Sequence, residues 1–446
     1  MEREEVEFLP SGLATCLINS SEMRIMKIAP NRLTFRAAEK IENIQEIKIA
    51  FYLFEEYRYE ELIIKDYLIE EIKSEEFYCT YTILIQDELY FRSVRNTFKN
   101  YQKYIMDKAF GDGNDFSKEM VNYPAEDDYD FYGDYLEQKK EWLSGVNYAK
   151  YAEEYLERID MAVNLDNFEL YSMYLNNDLL SFKDEYFKKN YLDKHVLFQK
   201  DISRIYIGNE FCHNLFPSIN QLMDLLNKAK KEKLQITLAF TYMRECYINR
   251  INEILDKAAK WCDDEQTIIE IVINDWGMLE LLKGKSERFK ISLGVLLNKR
   301  KKDPRYAYKK GYEENKGLMA ENSLNSGFYQ KFLKDNNIER YEYESCGYQI
   351  KVAEGAHSLH LPFYQTNTSQ YCTLYAMCTN MDRGKQKLVK ECPKYCNEYV
   401  LTYPKHLKMI GRYNSLFAFD DTLLKDFKAL EYYIDNGIDR IVLNLI

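Results

Sequence analysis

From about residue 160 to the end of the chain, short continuous apolar runs alternate with amphipathic helical stretches. The runs are RIYIG (204–208), QITLAFTY (235–242), IIEIVIND (268–275), FKISLGVLL (289–297) and the closing DRIVLNLI. Between the first two, Ser218 stands where it caps INQLMDLLNKAKKEK, whose Ile219, Leu222, Leu225 and Leu226 fall on one face. A strand without polar alternation is buried on both faces, and strands separated by helices pair in parallel. A β-rich segment near 338–363, a strand in HLKMIGRYNSLFAF and a helix in LLKDFKALEYYIDNG continue the series. So many units in roughly 250 residues predict an α/β, TIM-barrel-like domain. The alternative, a doubly wound open sheet, has no G-x-G-x-x-G or Walker loop in its favour.

The chain before this series reads differently. Residues 1–108 are β-rich, with a strand at Ile47–Phe54, another strand or hairpin in EFYCTYTILIQDELYFRSV, and a closing helix at 93–108. A small β-barrel with a terminal helix fits. The stretch KIAPNRLTFRAAEKIENIQEIKIAF resembles the strand pair of the PilZ domain, a cyclic-di-GMP receptor module. The family's RxxxR is missing, and its Asp/Asn-x-Ser-x-x-Gly segment is here Lys27-Ile28-Ala29-Pro30-Asn31-Arg32. Without those arginines nothing clamps the nucleotide phosphates, so the expectation is a PilZ-like interaction module that does not bind cyclic-di-GMP. Residues 109–147 are acidic, rich in tyrosine and poor in periodic apolar residues, as an inter-domain linker is. A helical pattern resumes over YAKYAEEYLERIDMAV (148–163), opening a domain that runs from 148 to 446.

Charge and termini bound the function. Formal net charge is −11, which argues against a protein that coats nucleic acid non-specifically but leaves room for a local basic groove. The acidic start MEREEVEF has no apolar signal region, and no apolar run approaches the ~20 residues of a membrane span. The expectation is a cytoplasmic, bacterial protein with no membrane contact. In a reducing compartment its ten cysteines are thiols or metal ligands rather than disulfides.

Four of those cysteines fall in the 26 residues from Tyr371 to Cys396, spaced C-x5-C-x13-C-x3-C. Thiolates this dense suit an iron–sulfur cluster or a structural zinc, because one loop wraps several sulfurs around one centre. Zinc hairpins favour C-x2-4-C pairs, and only Cys392 and Cys396 have that form. Cys212 follows the RIYIG strand by four residues, which places it on the ligand-collecting face of a parallel barrel. One distant cysteine plus three from the loop make a four-thiolate site. Cys16, Cys79, Cys246, Cys262 and Cys346 are isolated and read as ordinary small residues.

RIYIGNEFC, IVINDWGMLELL, LLNKRKKDPR, the cysteine loop and DFKALEYYIDNGIDRIVLNLI are similar, in this order, to stretches of the collagenase-like peptidase family U-thirty-two over residues 200–446. The resemblance implies a barrel fold and a [4Fe–4S] cluster. It also implies oxygen-independent hydroxylation of an RNA base or a small aromatic acceptor, and a hetero-oligomer with another family member. It maps the ligands to Cys212, Cys378, Cys392 and Cys396, with Cys372 in reserve. The family's usual first barrel strand is not recognisable here.

The loop 299–310 carries Lys299, Arg300, Lys301, Lys302, Arg305, Lys309 and Lys310 against Asp303, with Tyr306 and Tyr308 interleaved. Cations with stacking rings suit RNA or a phosphorylated ligand, although charge runs are usually solvated. Lys299, Arg300, Lys302, Arg305, Tyr306 and Asp275 are therefore the substrate-binding candidates. Asp275 equally suits a cap on the helix that follows it. No G-x-S-x-G elbow or HExxH is present, so a peptidase reading has no nucleophile or metal signature. A non-catalytic assembly protein, with the metal as a staple, is the remaining alternative.

Overall fold

A computed structural model describes residues 6–7, 12–53, 56, 58–75, 77–110, 135–146, 153–285, 287–303, 313–381, 384–403 and 407–446. The chain divides into two compact units. Among the described residues no helix is long and apolar enough to cross a membrane.

The first unit is an antiparallel sheet of β1 (Val6–Glu7), β2 (Ala14–Ile18), β3 (Ser21–Ala29), β4 (Arg32–Ala37), β5 (Ile47–Leu53), β6 (Arg58–Ile64), β7 (Tyr67–Ser74) and β8 (Cys79–Ile85). Its order is β6-β5-β2-β3-β4-β8-β7, with β1 on β3. Asn19 and Ser20, both at positive φ, form the tight turn between β2 and β3. Alternate residues of β2 and β8 point inward: Cys16, Ile18, Tyr81, Ile83 and Ile85 are buried with Phe35, Phe51 and Ile49. The helix Glu88–Phe110 closes this core with Tyr90 and Val94. It starts where Asp87 accepts hydrogen bonds from the Leu89 and Tyr90 N–H groups.

The second unit is the barrel. Eight parallel strands close on themselves: β9 (Asp160–Leu165), β10 (Ile202–Gly208), β11 (Gln235–Ala239), β12 (Ile269–Ile273), β13 (Phe289–Leu293), β14 (Ile338–Glu344), β15 (His357–Thr368) and β19 (Ile438–Asn444), with β19 pairing back to β9. An antiparallel excursion, β16 (Leu401–Thr402), β17 (Met409–Arg412) and β18 (Ser415–Phe419), pairs onto the far end of β15. The α/β barrel expected from the strand–helix alternation is therefore what forms. The first strand differs from the sequence expectation. DMAV, read there as the end of a helix, opens β9, because pairing with β10 and β19 buries it on both faces.

Outside the barrel, Ser218 caps the helix Ile219–Lys231 as expected, and Leu222, Leu225, Leu226 and Ala229 bury against the strands. The helix Tyr135–Ser144 falls inside the acidic stretch read as a linker. Its Trp142 ring stacks at 5.4 Å on Phe419 and meets Phe363 at 6.2 Å, inside the core. Most of the rest of that stretch, 111–134, lies outside the described residues.

The barrel interior is not the layered aliphatic core usual for this architecture. Ala162, Tyr206, Ala239, Val272 and Val442 form only a small apolar cluster there. Around it run charged groups. Arg440 bonds Glu270 at 2.7 Å and the Tyr206 hydroxyl at 2.8 Å. Glu342 accepts from Tyr206 at 3.1 Å and Ser292 at 2.7 Å, and pairs with His360 at 3.0 Å. The strands are apolar on the outside and polar or small on the inside, so a continuous buried strand can still hold a polar axis.

Candidate functional site

Chain geometry at the end of β10 places the first thiol. Gly208 has a φ of +120°, and a Cβ there would lie 2.3 Å from the Ala239 carbonyl oxygen and 2.8 Å from the Phe216 ring. Only glycine makes that turn. Asn209 then accepts from the Phe211 and Cys212 N–H groups at 2.8 and 2.9 Å, and donates to the Asp166 carbonyl at 3.0 Å. Cys212 is thereby held beside the barrel mouth.

The other thiols come from the segment between β15 and β17. Cys372 caps the helix Thr373–Asn380; its sulfur accepts from the Tyr375 N–H at 3.3 Å and donates to the Tyr413 carbonyl at 2.9 Å. Cys392 accepts from the Lys394 N–H at 3.4 Å. Cys396 is buried in a short 3-10 turn, Tyr395–Asn397, and the Arg412 guanidinium donates to its carbonyl at 3.0 Å. N–H groups aimed at sulfur are the contacts that stabilise thiolates on a metal centre.

These four thiols lie within one another's electrostatic reach. Cys212 is raised well above the ordinary thiol value by burial, with smaller contributions from Cys372, Cys396 and Cys392. Burial, assisted by the neighbouring sulfurs, pushes Cys372 up to about 11 and Cys396 up to about 12. Cys378 adds to the field at Cys372 but not, among the causes that shift them, at Cys212 or Cys396. The reserve cysteine, Cys372, is therefore coupled to the group, and Cys378 is coupled to Cys372. Among the described residues no three His, Cys, Asp or Glu side chains close on a single metal-binding point. A cubane carries its thiolates on four different irons, so its ligands stand wider apart than those of one ion.

His213 stacks on Tyr247 at 4.4 Å and meets Tyr242 edge-on at 5.4 Å. Burial, with Arg244 and Arg250 nearby, lowers it to about 3, so it is a neutral ring beside Cys212.

Next to the thiols a cavity of about 670 Å³ opens at the C-terminal ends of the strands, lined among others by Tyr242, Asn274, Asp275, Asn298, Lys302 and Gln365. Tyr242 and Gln370 border both this cavity and the small space between Cys212 and Cys372. Asn298 is buried, and its side-chain oxygen has no partner in the described structure. Beneath the cavity floor, Glu210 accepts from Asn274 at 2.8 Å and from the Val295 N–H at 3.3 Å. Burial raises its carboxyl above the ordinary range.

The predicted substrate residues divide. Lys299 is exposed at the cavity rim. Lys302 bonds Glu344 at 2.5 Å, Gln365 at 3.0 Å and the Val295 carbonyl at 3.3 Å, which engages all three of its N–H donors. Arg300 donates to the Glu344 carbonyl at 2.8 Å. Both therefore hold the loop onto β14 from within. Asp275 accepts from the Gly277 N–H at 2.7 Å at the start of the helix Gly277–Leu282 and also lines the cavity. Arg305 and Tyr306 lie outside the described residues. Sequence reasoning missed Glu210, Glu342, Glu344 and His360. Glu342 and Glu344 alternate with Tyr341 and Tyr343 in β14, a pattern that reads as a half-solvated strand, while Glu210 follows Asn209 beyond β10 and His360 shares β15 with His357 and Ser358, so neither stands out in the sequence.

No family model matches the chain, and no curated protein matches it. Among solved structures the chain is similar to the crystal structure of a Legionella uncharacterized protein, Lpg0364, at 15% identity and a TM-score of 0.17. That match covers 22% of this chain and 94% of the other. A likeness of that size carries no argument.

Proposed function

We propose that the barrel unit is an iron–sulfur protein that modifies a substrate held in its mouth, in the manner of the oxygen-independent hydroxylation of RNA or a small aromatic acceptor. The supporting observation is that Cys212 and three thiols more than 150 residues later in the chain share one electrostatic site beside the 670 Å³ cavity. Cys212, Cys372, Cys392 and Cys396 would hold the cluster. When bound, the cluster supplies one-electron chemistry.

The protein's own residues do the rest. Tyr242 forms the wall between the thiols and the cavity, and its hydroxyl is fixed by the Ser369 and Gln370 carbonyls and by Asn414. Asn298 offers an acceptor to a substrate N–H or O–H. Lys302 and Arg300 tie the described start of the loop to Glu344, which preorganises that edge of the cavity. The Glu210 carboxyl, raised above its ordinary range by burial, lies under the floor and accepts from Asn274, which lines it.

The test is anaerobic purification with an absorption spectrum and iron and sulfide analysis. About four iron and four sulfide per chain are expected for a [4Fe–4S] centre. A colourless chain with about one zinc would replace this reading with a structural staple. Turnover of a gelatin-type substrate by metal-free protein would replace it with a peptidase.

A further inference from the structure

The loop that carries the last two cysteines also carries charge of the opposite sign to the rest of the chain. Residues 384–394, GKQKLVKECPK, hold Lys385, Lys387, Lys390 and Lys394 against Glu391, in a protein of net charge −11. Lys385, Lys387 and Lys390 are exposed. The loop is pinned at its middle: Val389 is buried, and its carbonyl accepts from Asn214 at 3.2 Å and Tyr247 at 3.2 Å, on the segment that follows Cys212 and on the wall of His213. Lys387, Leu388 and Val389 border the small space that Cys212 and Cys372 line. Beside them Arg244 donates to the Gln370 carbonyl at 2.6 Å and lies 4.9 Å from the centre of the partly exposed Tyr371 ring. Among the described residues, Glu391 lies on the loop and Glu245 is next to Arg244.

A redox centre that works without oxygen must be charged by a donor, and an outer-sphere donor has to dock close to it. Long-range attraction between opposite charges raises the encounter rate and orients the pair. From the loop's charge, its anchoring and its position, we infer that this basic cap is the docking surface for an acidic one-electron carrier protein. The inference rests on the iron–sulfur reading. The step is a single electron transfer: the carrier is oxidised by one electron and the centre reduced by one, with no bond made or broken. Lys387 borders the small space beside Cys212 and Cys372 and is not among the residues lining the substrate cavity, so the patch faces the thiols, and what it offers a partner is charge complementarity to an acidic surface.

The experiment uses the full chain, loaded anaerobically, and an acidic plant-type [2Fe–2S] ferredoxin as probe. Binding of the oxidised ferredoxin and stopped-flow reduction by the reduced form are measured at low and high salt. The rate is expected to fall with salt. The triple variant K385E/K387E/K390E is expected to lose at least tenfold in both binding and rate at low salt, and to lose the salt dependence. Reduction by methyl viologen radical cation, which needs no basic patch, should not slow. Equal ferredoxin rates for variant and wild type overturn the inference, as does an equal loss with methyl viologen. If the variant instead loses binding to a single-stranded RNA 20-mer while ferredoxin binding persists, the surface is a nucleic-acid site and the inference fails. A wild-type chain without iron overturns the functional reading separately, and ferredoxin binding still judges the surface.

Discussion

His360 Nε2 stands 3.0 Å from Glu342 Oε2 and 3.9 Å from Glu210 Oε1, with all three side chains buried in the barrel. Burial works against both charges of the close pair. For Glu342 the hydrogen bond and charge of His360, with Arg440 and Ser292, outweigh it and hold the carboxyl below its ordinary range. For His360 the carboxylates outweigh it and raise the imidazole above its ordinary value. The pair is an imidazolium–carboxylate bridge across two adjacent strands, β14 and β15. Removing one member leaves a buried charge, which costs roughly 3–5 kcal/mol. His360→Ala should lose that much in denaturant unfolding. Exchanging both groups for apolar residues of similar size should cost far less, so a double-mutant cycle with Glu342→Leu checks the coupling.

His357 contributes to the acid response. Burial lowers it to about 4, and it stacks on Tyr341 at 4.5 Å while its Nδ1 accepts from the Tyr341 N–H. Its unfolded value is about 6.5. The unfolded chain therefore binds the proton first, and stability is lost as pH falls from about 6.5 towards 4, by roughly 3 kcal/mol from this residue. Urea unfolding at pH 7 and pH 4.5 should show a smaller drop in His357→Gln than in the wild type. An equal drop would assign the acid sensitivity to other groups.

The ligand set is separable by mutation. Electrostatic influence links Cys372 with Cys212, Cys392 and Cys396, whereas Cys378 is felt at Cys372 and not among the causes that shift Cys212 or Cys396. Anaerobically loaded Cys372→Ser should lose most of its iron and its visible absorption, while Cys378→Ser keeps both. The reverse result restores Cys378 as the fourth ligand.

Gly208 is the backbone hinge of the site. An added methyl meets the Ala239 carbonyl oxygen at 2.3 Å on the neighbouring strand, at a φ that side chains rarely adopt. Gly208→Ala should destabilise the barrel by roughly 2–5 kcal/mol through strain and overpacking. Thermal unfolding would show it. Gly317→Ala, with open space around its Cβ position, is the control.

The sequence by itself determined the units that repeat locally. Continuous apolar runs between amphipathic stretches specified parallel strands and covering helices, because period and burial are properties of a few neighbouring residues. Ser218 announced its helix for the same reason. The density of cysteines between 372 and 396 was equally plain. Tertiary structure alone decided what meets across the barrel. β9 becomes a strand only when β10 and β19 flank it. Lys302 and Arg300, which look like a free basic run, fold inward onto Glu344 from β14. The polar axis draws one residue from each of five strands, Glu270, Ser292, Glu342, His360 and Arg440, and nothing in any one strand's pattern announces the others. Which cysteine joins Cys212 is likewise a matter of where the helix cap at Cys372 and the turn at Tyr413 place it. Closing the ring brings these groups within hydrogen-bond reach, and no spacing along the chain encodes that distance.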